Sequence, residues 1–447
     1  MNLSTMLAAR AEASTPVRVA LIGAGKFGSM YLTQARLTRG VHVAAIVDLD
    51  PGRVKGTLAT CGWPEEQAQA PTLDAALETG KTHVTDDLGA VLRDDRIEVV
   101  IEATGDPAVG IRHCTAIIDA GKHVIMVNVE ADVLAGPLLA RRAARAGVVY
   151  SLAWGDQPAL ICEHVDWARA CGFSVVCAGK GTRYLPTYHQ LTPDTVWDVL
   201  TQYLDITDRG LINPKMFNSF LDGTKSGIEM TAVCNATGLA PQPDGLAFPP
   251  ASRFELSRVC RPKDAGGTLA LSGTTEVVSS LTRAGADVPH HLAMGTFVVI
   301  EGETDYARQC FREYHMLEDE TGRFAALYRP THMIGMELGL SVASAVLRRE
   351  PTGAPRGFVA DVVATAKRDL KAGEMLDGEG GACVWGKQQP AAASLAAGRL
   401  PLGLAANVRL VRDVAEGAML TWDDVALDPD DEAVKVRREM EAAFPPA

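Results

Sequence analysis

The sequence predicts an α/β protein in three parts: an N-terminal doubly wound domain, a central α/β domain and a small β-rich C-terminal domain. Three observations carry this. Apolar runs and helix-like stretches alternate from Pro16 to Tyr150, the texture changes at Gly155-Asp156-Gln157-Pro158, and one eleven-residue pattern occurs twice near the end of the chain.

The first element is the apolar run Val17 to Ile22, which leads into Gly23-Ala24-Gly25-Lys26-Phe27-Gly28 and a helix expected from about Phe27 to Leu37. Gly23 allows a tight turn, Gly25 leaves room for a pyrophosphate at the backbone, and Gly28 lets the helix pack against the strand. Lys26 and Phe27 open a helix whose free N–H groups and positive dipole end stabilise an anion. The next run, Val41 to Val47, closes on Asp48, twenty positions past Gly28. An acid there accepts hydrogen bonds from a ribose 2'-hydroxyl, so the segment reads as a Rossmann dinucleotide site and Asp48 favours NAD(H). Arg53 supplies a fork of donors that suits a 2'-phosphate and keeps NADP(H) open.

Two more strands follow, Ile97 to Ile101 before Glu102-Ala103-Thr104-Gly105, and His123 to Val127 before Asn128-Val129-Glu130. Ligands bind at the carboxyl edge of a parallel sheet, which makes Thr104, Gly105, Asn128 and Glu130 candidates to line the nicotinamide. Capping of the next helices is the alternative role for Glu102 and Glu130. A helix over Leu138 to Ala146 and a short strand over Gly147 to Ser151 end the domain, giving residues 1–154.

Residues 155–329 form the expected substrate domain, with a helix over Ala159 to Cys171, a strand from Ser174, helices around Lys215 to Thr237 and a strand at Thr296 to Ile300. The apolar helical stretch at about 330–350 is expected to return to the first domain. Hydride chemistry requires a group that manages one proton beside the reacting carbonyl. Lys180, with Arg183, sits among glycines at a strand end. Lys225 sits at a helix start, where the dipole opposes a cation unless an anion is bound or the pKa is lowered. His189 and Asp222 complete the candidate set, and Asp194, Asp222 and Glu229 are placed to position the lysines or hold a divalent cation. No two acids have spacing that compels a metal, and no GxSxG, HExxH or Walker lysine motif is present.

In the tail, 355–447, Ala366 to Leu376 is echoed by Leu410 to Leu420, each an apolar strand, a glycine turn and a second apolar step. The first copy, AKRDLKAGEML, resembles the characteristic turn of the SAF domain; substrate binding and a structural or oligomer-forming role are both open to it. The net charge of -12 and pI near 5.4 argue against a nucleic-acid or anionic-membrane surface. No apolar stretch is long enough to cross a bilayer and Met1 to Thr15 lacks a secretory pattern, so cytosol is the expected compartment. Nine cysteines without a CxxC pair suggest neither a zinc site nor a disulfide scaffold.

Taken together, GAGKFG, IEATG, MVNVEAD and SLAWGDQP resemble the homoserine-dehydrogenase-related oxidoreductases. The segments AGKGTRYLPTYHQLTPDTVW and FNSFLDGTKSGIEM, with the SAF-like tail, make nearly the whole chain similar to the 1-deoxy-D-xylulose-5-phosphate reductoisomerase-like family. That resemblance implies NADPH-dependent reductive isomerisation of deoxyxylulose phosphate to methylerythritol phosphate in isoprenoid precursor synthesis, by a homodimer. It also implies that Lys180, Arg183 and Lys225 hold the phosphate or polarise the carbonyl. The alternative is an NAD(P)-dependent dehydrogenase of a small hydroxy acid or sugar acid.

Overall fold

Short runs of valine, isoleucine and alanine that are buried on both faces can only serve as central parallel strands, and the first unit is built from them. The computed structural model of the chain describes residues 2–204, 206, 209 and 213–445. These divide into two units: Met1–Leu160 with Met333–Arg356, and Ile161–His332 with Gly357–Ala447.

In the first unit, β1 (Val17–Ile22), β2 (Val41–Val47), β3 (His83–Thr85), β4 (Val99–Glu102), β5 (His123–Met126) and β6 (Tyr150–Leu152) form one sheet. The order is β3-β2-β1-β4-β5-β6 and every pair is parallel. The strand order reverses between β1 and β4, the point where doubly wound sheets bind ligands. The helix Gly339–Leu347 belongs to this unit, with Val342, Ala343 and Ala345 fully buried in the same core cluster as Val19 and Ile101. Ser341 ties it down by accepting the Trp154 N–H at 2.8 Å.

The sheet's last helix departs from the sequence reading. It runs Val129–Arg145, not from Leu138, with Pro137 inside it. A proline in mid-helix costs roughly 3 kcal/mol, but the longer helix buries Val133, Leu134, Leu138 and Leu139. Burying four such side chains outweighs the lost backbone bond. The run at Gly147 likewise becomes strand only from Tyr150. The N-terminal residues, read only for targeting signals, form the helix Leu3–Glu12.

In the second unit, β7 (Ser174–Thr182), β8 (Thr274–Ser279), β9 (Thr296–Glu301), β10 (Leu317–Glu318) and β11 (Phe324–Arg329) make a sheet of order β10-β11-β9-β7-β8. Only β7 and β8 are parallel. The helix Thr224–Thr237 packs on one face, where Met230 and Val233 join Ala178, Val277 and Val298. Its other side meets β14 (Val384–Pro390), which pairs antiparallel with β12 (Ala360–Ala366). A Cβ on Gly227 would lie 2.7 Å from the Gly386 carbonyl oxygen, so only glycine permits this approach. Sheets on two sides explain why this helix is apolar or small around nearly its whole circumference.

The tail also contains β13 (Met375–Asp377), β15 (Ala406–Leu410) and β16 (Val425–Ala426). Its repeat closes on itself: Leu370 bridges Val414, while Asp413 accepts the Ala372 N–H and Asp369 accepts the Glu416 N–H, both at 2.9 Å. Each aspartate thus serves the turn of the other copy, three residues past its counterpart. The helix Glu432–Ala443 is anchored by fully buried Arg437, whose guanidinium donates to both oxygens of Asp361 on β12 at 3.1 and 2.7 Å.

Candidate functional site

At the end of β1 the backbone itself forms a cradle. Gly23 has φ +90°, and a Cβ there would lie 2.8 Å from the Ala103 carbonyl oxygen; on Gly28 it would lie 2.2 Å from that of Gly23. A Cβ on Gly25 would meet nothing within 4 Å. The two outer glycines are therefore demanded by packing, whereas the middle one faces open space. Lys26 and Phe27 begin the helix Lys26–Ala35, which has no side-chain cap. Its first-turn N–H groups are the ready anion site of a helix start, and the arrangement fits the pyrophosphate of a dinucleotide.

Asp48, at the end of β2, accepts N–H bonds from Ala24 at 2.9 Å and Asp50 at 3.0 Å. Arg53, half-exposed, closes on both carboxylate oxygens at 3.0 and 2.8 Å. Burial alone would raise the Asp48 pKa, but these hydrogen bonds outweigh it and hold the carboxyl below its ordinary value. A carboxylate offers about four acceptor positions, and these four hydrogen bonds, from three donor nitrogens, fill them.

The residues after β4 and β5 divide between edge and interior. Thr104 donates to Glu102, which is fully buried and also bonded to His113 Nδ1 at 3.2 Å. Gly105, φ +79°, has open space around it. Asn128 is 2 % exposed; its oxygen caps the helix Val129–Arg145 through Ala131 N–H, and its amide donates to the Asp106 carbonyl at 2.7 Å. Its side chain is committed to holding the loop. Glu130 lies in the first turn of that helix. Behind them Asp132 is fully buried, accepts the Tyr150 hydroxyl at 2.6 Å, and is pushed up to about 7 by burial against the opposing effect of that bond.

The second unit builds its chemistry from side chains. Lys180 lies within β7, not at its end, with its side chain 8 % exposed. Its ammonium donates to the carboxylate of Glu229, 5 % exposed, on the helix Thr224–Thr237. Four-residue spacing places Lys225 on the same helix face as Glu229, one turn toward the N-terminus. Glu229, an acid the sequence offered for positioning the lysines, is thus brought to Lys180 by the fold. Thr296 is paired with Lys180 across β9 and bonds His164 Nε2 at 3.0 Å. Burial, with Arg329 nearby, lowers the His164 pKa to about 4, leaving it neutral. Nothing in the local sequence marked His164 or Thr296.

The other candidates are tied elsewhere. Arg183, read with Lys180 as one positive cluster, is turned to Asp287 at 2.8 Å and lies over the Tyr203 ring. Asp222 is fully buried and pairs with Lys367 of the tail at 2.8 Å, not with either catalytic-domain lysine; its other oxygen accepts the Thr224 N–H. Lys367 also donates to the Leu191 and Gly381 carbonyls. His189 bonds the Tyr184 hydroxyl at 2.7 Å and the Asp222 carbonyl at 2.6 Å. Burial lowers its pKa, and the bond to that carbonyl only partly offsets this. Among the described residues no three His, Cys, Asp or Glu side chains gather as a metal site, and no helix is long and apolar enough to cross a membrane.

Residues 17–127 match the oxidoreductase family with an NAD-binding Rossmann fold, and residues 155–338 match the catalytic domain of oxidoreductase DRL. The chain is an NAD(P)-dependent oxidoreductase. More particularly, it combines that Rossmann domain and DRL-type catalytic domain with a SAF domain, matched over residues 361–426. No curated protein matches the sequence. Among solved structures, the putative oxidoreductase yvaA from Bacillus subtilis is 15% identical, covering 75% of this chain and 89% of that one, with a TM-score of 0.37. Dihydrodipicolinate reductase from Paenisporosarcina sp. TG-14 is 12% identical, covering 75% and 97%, with a TM-score of 0.35. The putative oxidoreductase YPO2259 from Yersinia pestis is 13% identical, covering 76% and 90%, with a TM-score of 0.37. Likeness at this level says nothing about substrate.

Proposed function

We propose that the chain reduces a small phosphorylated ketose with NAD(P)H, as in the reductive isomerisation of 1-deoxy-D-xylulose 5-phosphate to 2-C-methyl-D-erythritol 4-phosphate. The observation that carries the reading is the buried Lys180–Glu229 pair inside the segment that matches the DRL catalytic domain. The bound nicotinamide supplies the hydride. In the isomerising reaction one carbon–carbon bond of the ketose breaks and another forms to give a branched aldehyde. Lys180 donates a hydrogen bond to that aldehyde's oxygen, stabilises the negative charge that grows there as hydride arrives and delivers the proton that completes the alcohol. Glu229 fixes the ammonium and compensates its charge in a dry setting, where an unpaired cation would be costly. Lys225, at the positive end of its helix, holds the phosphate.

The test is oxidation of NADPH and NADH by the purified protein with deoxyxylulose phosphate, with and without a divalent cation, and identification of the product. Methylerythritol phosphate is expected, and Lys180→Met is expected to lower kcat/KM by about 10²–10⁴. Absence of cofactor oxidation with either nucleotide rejects the reading. The match of residues 17–127 to a broad NAD-binding oxidoreductase family supports a second one, a dehydrogenase of a hydroxy acid or sugar acid. It predicts reversible oxidation with an unchanged carbon skeleton, and a panel of such acids giving no NADH or NADPH removes it.

A further inference from the structure

In the second unit, a cavity of about 380 Å³ lies between the turn Pro186–Gln190 and the face of β12 and β14 that looks away from the helix Thr224–Thr237. That volume is within the range of small-molecule sites, roughly 300–1,000 Å³. Strand alternation decides what faces it. Gly386 and Gln388 turn toward the helix, where Gly386 N–H donates to Thr224 Oγ1 at 2.9 Å, so Trp385 and Lys387 turn the other way. Thr365 stands directly opposite Trp385 in the ladder.

Two polar groups in this cavity are left without a partner among the described residues, and an aromatic ring walls it. The Thr365 hydroxyl is buried, on a residue only 2% exposed, and lacks a hydrogen-bond partner. A buried hydroxyl left in this state costs about 1–3 kcal/mol unless something fills it. The half-buried Lys387 ammonium has no ion pair among the described residues, whereas the neighbouring Lys367 is neutralised by Asp222. The Trp385 ring lines the cavity and is held stacked on His189, with centroids 3.7 Å apart and planes 19° apart. His189 is in turn pinned at both nitrogens, so the indole is a rigid wall. The acid at the rim, Glu416, is engaged by the Gln190 amide at 2.7 Å.

We propose that this cavity is a second ligand site, for a small planar anion: an aromatic or heteroaromatic ring bearing a carboxylate or phosphate. The ring packs against Trp385, the anionic group pairs with Lys387, and one of its oxygens accepts the Thr365 hydroxyl. A charge-assisted bond beside a rigid aromatic wall suits this ligand class and disfavours cations and neutral sugars. The site does not depend on the reaction proposed above.

Calorimetric titration and tryptophan fluorescence of the full chain with phenyl phosphate and benzoate test it, with inorganic phosphate and cyclohexanecarboxylate as ringless or non-aromatic controls. An aromatic anion is expected to bind, with the controls about tenfold weaker or more. Lys387→Met is expected to weaken binding about tenfold, Thr365→Val a few-fold, and Lys180→Met not at all. Lys387 is only half-buried, so its variant keeps the test sound even where Trp385→Leu fails to fold. The proposal is overturned by no binding at millimolar ligand, by controls that bind as well as the aromatic anions, by binding that Lys387→Met leaves intact, or by binding that Lys180→Met abolishes.

Discussion

The cofactor end of the first unit and the lysine centre of the second are made of different material. The first is backbone: two glycines that packing demands, a third that faces open space, and a helix start without a side-chain cap. The second is side-chain charge taken out of water, in the pairs Lys180–Glu229 and Asp222–Lys367. The difference teaches where each site is fragile. A backbone cradle is damaged by adding atoms, whereas a buried ion pair is damaged by removing one partner and stranding the other charge.

The sharpest contrast is expected from Asp222→Ala. It leaves Lys367, 2% exposed at its side chain, without a counter-charge and removes an acceptor at the start of the helix Thr224–Thr237. Loss of about 3–5 kcal/mol is expected in urea unfolding, and a loss under about 1 kcal/mol would erase the distinction drawn between the two regions.

Asp132 is the first unit's own buried acid and breaks the simple contrast. Its pKa is raised from 3.8 to about 7 when folded. Between those values the native state holds a proton that the unfolded chain has released, so this group's contribution falls as pH rises through the window. Asp132→Asn is expected to flatten the stability profile there, as read from melts at a series of pH values. An unaltered slope would mean that the acid titrates normally.

A smaller effect is expected from Gly25→Val, because the added atoms project into open space. The melting temperature without ligand should stay within a few degrees, while affinity for NAD(P)H falls about tenfold, roughly 1.4 kcal/mol. Equal damage to fold and binding would show that Gly25 is also a packing residue. The smallest stability change, under about 1 kcal/mol, is expected from Arg53→Ala, since its guanidinium is half-exposed. Its readout is instead the ratio of NADH to NADPH affinity, which should rise as Asp48 becomes free to accept a ribose hydroxyl.

How much could be read in advance follows the same division. The glycine turn, the acid closing β2 and the SAF repeat were legible because each is a local requirement of backbone geometry. The reciprocal aspartate bonds at residues 369 and 413 are what such a repeat produces when it folds onto itself. The sequence reading began the last helix of the first domain at Leu138, because the burial of Val133 and Leu134 that carries it back to Val129 is a tertiary effect. Lys180 and Lys225 were legible as chemistry-bearing types. Glu229 was legible as an acid able to position the lysines, but that it meets Lys180 was decided by the fold.

By itself the sequence determined the parallel order of elements, the cradle for a pyrophosphate and the identity of the lysines, since glycine conformations, apolar periodicity and helix starts act over a few residues. Only the tertiary structure decided which charge meets which. It gave Lys180 to Glu229, Asp222 to Lys367 and Arg183 to Asp287. Ion pairing depends on distances in space, and the register of strands and helices far apart in the chain sets those distances.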